Sequence, residues 1–209
     1  VGNPNLFYPE VVHFERDKIY WIGEYLNGSD FRNFTNEKFR GEGWYWALIS
    51  SQQALIDTFS VPHLFTVPQN ASVRVTAYPQ NVSTSILNEH SIQVKVNGNL
   101  INTITVNDYK RIDTTLTFSS SLLNNASVNN VSVTYVANGG FGGLMFIDLM
   151  EINYPKIYKF RNNQSLINTF QNDTASYLFK VNGFVPANPV YIYDVNNGVK
   201  INAYSNVSD

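Results

Sequence analysis

Apolar and polar residues alternate with a period of two through most of this chain, and that pattern constrains the fold more than any other feature. "SVRVTAY" (72–78), "SIQVKVNG" (91–98), "IDTTLTF" (112–118) and "VSVTYVA" (131–137) each place every second side chain on one face, as a half-buried strand requires. Turn-forming clusters such as "YPQN" and "SSSLLNNAS" separate these runs. The clearest hairpin is "SIQVKV-NG-NLINTITV", where Asn97 and Gly98 suit the two left-handed conformations of a type I′ turn. A second hairpin is expected at "VYIYDV-NNG-VKINAY" (190–204), with Gly198 in the left-handed or bulge position. "GGLMFIDLMEINY" (142–154) is a long apolar run that no helix cap precedes, and it reads as a central strand covered on both faces. "SSQQALIDTF" (50–59) fits either a short helix starting at Ser50 or a strand, the strand being the better reading.

Strands spaced by roughly 10–20 residues without intervening helices predict an all-β chain, an antiparallel β-sandwich of jelly-roll type. Pro155 cannot donate to a central ladder and marks the expected seam. The expected organisation is a main sandwich over residues 1–155 and an additional β segment over 156–209. That segment is short for a sandwich of its own and reads as the start of a second β domain.

Composition narrows the function classes. Of the 209 residues 44% are hydrophobic and 14% charged, which suffices for a buried core and argues against disorder. A net charge of −2 and a pI near 5.9, with no basic cluster longer than "YKR" (109–111), argue against nucleic acid as a partner. The chain has no Cys, so disulfides, thiolate metal sites and a cysteine nucleophile are absent. No run approaches the roughly 20 apolar residues of a membrane helix. The chain opens on Val1 with no signal peptide in view, and is expected to be a fragment with any targeting segment outside it.

"GEGWYWALIS" (41–50) sets Trp44, Tyr45 and Trp46 side by side. In an unbroken strand Trp44, Trp46 and Leu48 face one way and Tyr45, Ala47 and Ile49 the other. Both faces are then apolar, so burial of the triplet is the preferred reading. A ligand platform built from Trp44, Tyr45 and Trp46, of the kind that grips carbohydrate, is the alternative.

Catalytic signals are sparse. His13, His63 and His90 stand in separate strand-like segments, without a G-x-S-x-G elbow or an H-E-x-x-H pair. His90 reads as a structural residue heading a strand. Asp148 and Glu151 are three apart, on opposite faces of a regular strand, and make a poor acid/base pair. "DVNNG" at Asp194, Asn196 and Asn197 faintly resembles an oxygen-ligand calcium loop but lacks its spacing and closing Glu, so a turn is preferred. Triplets of the form N-x-S/T, such as "NGS" (27–29), "NFT" (33–35) and "NAS" (70–72), are the expected product of an Asn-, Ser- and Thr-rich composition. No catalytic residue, cofactor or metal ligand is assigned.

Several stretches, taken in order, carry a family resemblance. They are "HFERD" (13–17), "EKFRGEGWYW" (37–46), "FSVPHLF" (59–65), "HSIQVKVNGNLI" (90–101), "LMFIDLMEINYPKIYKF" (144–160), "YLFKVNGF" (177–184) and "VYIYDVNNGVKI" (190–201). This order resembles the region upstream of the gingipain-type cysteine peptidase domain in large secreted or surface proteins of Bacteroidetes. That family includes the peptidase that removes C-terminal sorting signals in the type IX secretion system. The resemblance implies a non-catalytic accessory β-sandwich at the cell surface, outer membrane or outside the cell. Its implied partners are a downstream peptidase domain of the same polypeptide or other surface proteins. The family's catalytic Cys and His would lie downstream, so none is carried over. A carbohydrate-binding jelly roll with glycans as partners, and an adhesin-like structural domain, are the rival readings.

Overall fold

The computed structural model describes residues 4–5, 7–21, 23–26, 30–33, 43–81, 85–107, 109–140, 142–157, 178–179, 192–194 and 199–201. In chain order the strands begin with β1 (Pro4–Asn5), β2 (Tyr8–Glu15), β3 (Ile19–Tyr20), β4 (Gly23–Leu26) and β5 (Asp30–Asn33). Next come β6 (Trp44–Tyr45), β7 (Ala47–Ser50), β8 (Ala54–Phe59), β9 (Asn70–Pro79) and β10 (His90–Val96). They continue with β11 (Asn99–Val106), β12 (Ile112–Ser119), β13 (Asn129–Ala137) and β14 (Leu144–Lys156). The last are β15 (Leu178–Phe179), β16 (Ile192–Asp194) and β17 (Val199–Ile201). The described helical structure is one 3₁₀ turn, Ser120–Leu122.

The chain divides into two compact units, Pro9–Lys156 and Val1–Tyr8 with Ile157–Asp209. In the second of these β1 pairs in parallel with β15, and β16 pairs antiparallel with β17, Ile192 opposite Ile201. The strands of the expected second hairpin are thus paired, while residues 195–198, Gly198 among them, lie outside the described residues.

The larger unit is an antiparallel sandwich. One sheet runs β11-β10-β13-β8 and the other β12-β9-β14-β2, with the short β7 also paired to β14. Numbering the eight long strands of these sheets in chain order gives fifth–fourth–seventh–second and sixth–third–eighth–first, the order of a jelly roll. Of these eight, only β10 and β11 are consecutive in both sequence and sheet, and Asn97 (φ 48°) and Gly98 (φ 78°) turn between them as the type I′ pattern requires. "SSQQALIDTF" resolves into a turn, with Gln52 at φ 68°, followed by strand β8.

Period-two alternation fills the space between the sheets. Val73, Val75 and Ala77 of β9, Ile92, Val94 and Val96 of β10, and Val131, Val133 and Tyr135 of β13 all enter one core. Each fully buried Val or Ile contributes about 1.5–3 kcal/mol relative to an exposed one. On β14 Met145 and Ile147 point inward, then Met150, Ile152 and Tyr154. The spacing changes because a bulge shifts the register against β9 between Ile147 and Leu149. β14 lies between β9 and β2, as a central strand should. It runs on through Pro155, past its last paired residue on β9, to Lys156, which bridges to Leu64. At that position a missing N–H costs the β9 ladder nothing, so the proline does not end the strand.

Candidate functional site

Strand alternation that sends Met145, Ile147, Val75 and Ala77 inward sends Phe146, Thr76 and Tyr78 to the outer face of the five-stranded sheet. There Tyr45, Tyr78 and Phe146 form a second apolar cluster, with Ile19, Trp21 and Leu48 packed against it. Trp21 and Tyr45 both stack on Phe146, at centroid distances of 4.6 and 4.7 Å, and Tyr45 meets Tyr78 edge-on at 5.6 Å. Contacts of this geometry add about 0.5–1.5 kcal/mol each to the burial itself. The guanidinium of Arg111 stands 5.7 Å from the Tyr78 ring. Burial, reinforced by Asp148 and opposed by Arg111, pushes the Tyr45 hydroxyl up to about 12. Burial raises that of Tyr78 still further, against the same Arg111. Both phenols therefore stay protonated near neutrality, and neither offers a phenolate base.

The aromatic triplet enters three environments. Trp44 and Tyr45 form β6, which pairs with β3, Tyr20 opposite Trp44 and Ile19 opposite Tyr45. At Trp46 the chain bends, and β7 then joins β14. The bend turns Trp46 into the main core, where it is 3% exposed, while its N–H donates to the Ile147 carbonyl. Arg16 covers it at 5.5 Å and ion-pairs with Asp57 of β8 in the opposite sheet. Tyr45, 2% exposed, anchors the outer cluster. Trp44 is 41% exposed and leans on Tyr20, itself 57% exposed, with centroids 5.0 Å apart. The expectation of burial thus needs correcting at Trp44, because the strand is broken and Trp44 and Trp46 no longer share a face. Sequence reading missed Tyr20; its only sequence signal is a position opposite Trp44 that depends on a pairing between residues 24 apart.

Farther along the same outer face lies a ladder of charges. His13 of β2 contacts Glu15 at 2.7 Å and Glu151 of β14 at 2.8 Å. Glu151 also accepts from Arg74 of β9 at 3.1 Å, and Arg74 pairs with Asp113 of β12 at 2.9 Å. Asp113 takes a further 2.9 Å contact from Arg111. Partial burial lowers the His13 pKa, but hydrogen bonds to Glu151 and Glu15 more than reverse this and leave it raised. Partial burial would raise Glu151, yet His13 and Arg74 hold it below the usual carboxylate range. Asp113 is held low chiefly by its hydrogen bonds from Arg74. Ile147 and Met150 both point into the core, so Asp148 and Glu151 each flank an inward residue from the outer side. The bulge at Ile147/Leu149 therefore overturns the expectation that Asp148 and Glu151 lie on opposite faces. Glu151 there is engaged by His13 and Arg74.

The histidines are held in separate settings. His90 heads β10 fully buried, with Nδ1 2.8 Å from the Tyr135 hydroxyl and Nε2 3.5 Å from the buried Glu89 carboxylate. His63 sits in a turn at φ 63°. Among the described residues no group of three or more His, Asp or Glu side chains is gathered as a metal site, and no helix is long and apolar enough to cross a membrane. Asp194 lies in β16, while Asn196 and Asn197 fall outside the described residues.

No protein-family model matches the sequence, and no curated protein does. Solved structures similar to this chain differ in how far they superpose. Dimeric latent PorU from Porphyromonas gingivalis superposes with a TM-score of 0.59 at 12% identity, covering 82% of this chain and 15% of that one. This chain thus matches a small part of that protein's length. The CBM36-1 domain of a multidomain xylanase from the hindgut metagenome of Trinervitermes trinervoides gives a TM-score of 0.39 at 9% identity, covering 68% of this chain and 96% of that one.

Proposed function

We propose that this chain is a non-catalytic accessory β-sandwich module of a larger exported or cell-surface bacterial protein, one that carries a gingipain-like cysteine peptidase domain downstream. The supporting observation is the superposition on PorU, a gingipain-like sorting peptidase, over most of this chain and a minor share of that one. The residues agree with a binding or positioning role. The three histidines are separated, there is no thiol, and Glu151 and Asp113 are held in ion pairs. In this reading the module packs on, orients or shields the catalytic domain, or holds it at the surface, with residues 1–155 as the main sandwich and 156–209 leading onward.

Two measurements test it. The purified chain should hydrolyse neither Arg- nor Lys-containing peptides, with or without reductant, because the thiolate route has no nucleophile here. It should also bind the polypeptide encoded downstream of it in its own gene when that is supplied separately. A coding region that continues into tandem sandwiches or a glycoside hydrolase, without a Cys/His peptidase domain, would remove the reading.

A further inference from the structure

The ribbon of β3 and β6 has two unlike faces. Its inner residues, Ile19 and Tyr45, are locked onto Phe146 and Tyr78. Its outer residues, Tyr20 and Trp44, stand directly opposite each other and face solvent, their rings inclined at 52°. Backbone bonds from Lys18 N–H to the Tyr45 carbonyl (3.0 Å) and from Trp21 N–H to the Gly43 carbonyl (2.8 Å) fix the ribbon. The outer rings are therefore positioned before any ligand arrives, which removes an ordering cost from binding.

We propose that Tyr20 and Trp44 form a stacking platform for a neutral saccharide ring. The other large apolar residues exposed among those described, such as Ile56, Val67, Leu87 and Val128, are single aliphatic side chains on separate segments. A protein partner needs about 800 Å² from each side of a stable interface. An aromatic side chain offers only about 150–250 Å² even when wholly covered. Two half-exposed rings thus fall far short of a protein interface and match one small rigid ligand. A pyranose presents a face of C–H bonds whose positive edges suit the negative faces of Trp and Tyr, while its hydroxyls stay in water. An organic cation is a poorer fit, because cation recognition by aromatics uses a surrounding cage and this pair is open. The inference does not depend on a peptidase domain following the module.

The test is native affinity electrophoresis of the purified chain in gels containing xylan, glucomannan, mixed-linkage β-glucan or dextran. At least one polysaccharide should retard the protein. Trp44→Ala and Tyr20→Ala should each weaken that retardation about tenfold, while Trp44→Phe loses less and Val67→Ser loses nothing. Circular dichroism should show unchanged folding, since both rings lie outside the core. Mobility unaffected by every polysaccharide, or retardation that both Ala variants retain, overturns the proposal. Hydroxyl-radical footprinting of the full polypeptide from the native gene supplies a second arm. Tyr20 and Trp44 should remain reactive there; protection would mean that protein covers the pair, and would overturn a saccharide site.

Discussion

Three adjacent aromatic residues here respond to substitution in different ways, because a single bend separates their surroundings. Trp46→Ala removes a buried side chain from the main core and should lower stability by about 3–5 kcal/mol. Trp44→Ala should change it by no more than about 0.5 kcal/mol, as for other surface positions. Urea denaturation of the two variants checks this, and equal losses would contradict the assigned environments. The charge ladder makes a second prediction at this scale. The pKa of His13 is raised above its ordinary 6.5, so its contribution is complete below about pH 6.5 and is lost as pH rises through the folded value. Those of Glu151 and Asp113 are depressed from 4.5 and 3.8, so their contributions are complete above those values and are lost as pH falls through the folded ones. The ladder is therefore fully formed between about pH 4.5 and pH 6.5. His13→Gln should flatten the decline in melting temperature as pH rises above about 6.5, and a variant that keeps the wild-type slope would show the ladder to be unimportant. The sequence displayed these histidines and acids but not their contacts, since His13 and Glu151 meet across 138 positions.

Single elements were the most readable level. β9, β10, β12 and β13 could be seen in the period of their side chains, because each has one face on the core and one toward solvent or the outer clusters. The Asn97-Gly98 turn was visible for a local reason: few residue pairs take two successive positive φ values cheaply. Gly98 at φ 78° has open space around it, so the strain of its backbone alone decides the effect of Gly98→Ala. That substitution should cost about 1 kcal/mol and leave the denaturant slope unchanged, as measured by urea unfolding. Asn97 carries a longer reach, donating to the Leu122 carbonyl at 2.7 Å and accepting from Asn130 N–H at 2.8 Å, which ties the hairpin to β13. The bulge in β14 was not readable. Its apolar run hides which residue is the extra one, and only the register against β9 reveals that the facing of Glu151 relative to Asp148 has shifted.

At the scale of the molecule, a jelly-roll order explains why only one tight hairpin was evident in residues 1–155. Most other successive long strands cross from one sheet to the other, so their pairings are set by the assembled core and not by the turns between them. Such non-local pairing is slow to form, and refolding should take about milliseconds to seconds; a microsecond phase that restored all the Trp46 fluorescence change would contradict this. The same order brings the first and last long strands, β2 and β14, together as neighbours. Glu10 lies against Lys156 at 3.0 Å and His13 against Glu151, so the strands run in opposite directions and Pro9 and Lys156 share one end of the sheet. A mechanical load applied through those two positions meets its hydrogen bonds one after another, like a zip, with the Glu10–Lys156 ion pair as the first tooth. With no native thiol to compete, cysteine handles at Pro9 and Ile157 can apply that load, and handles at Pro9 and Gly143 can shear the same strands. The first geometry should open at the lower force, which would make this sandwich extensible when it is pulled through those two ends.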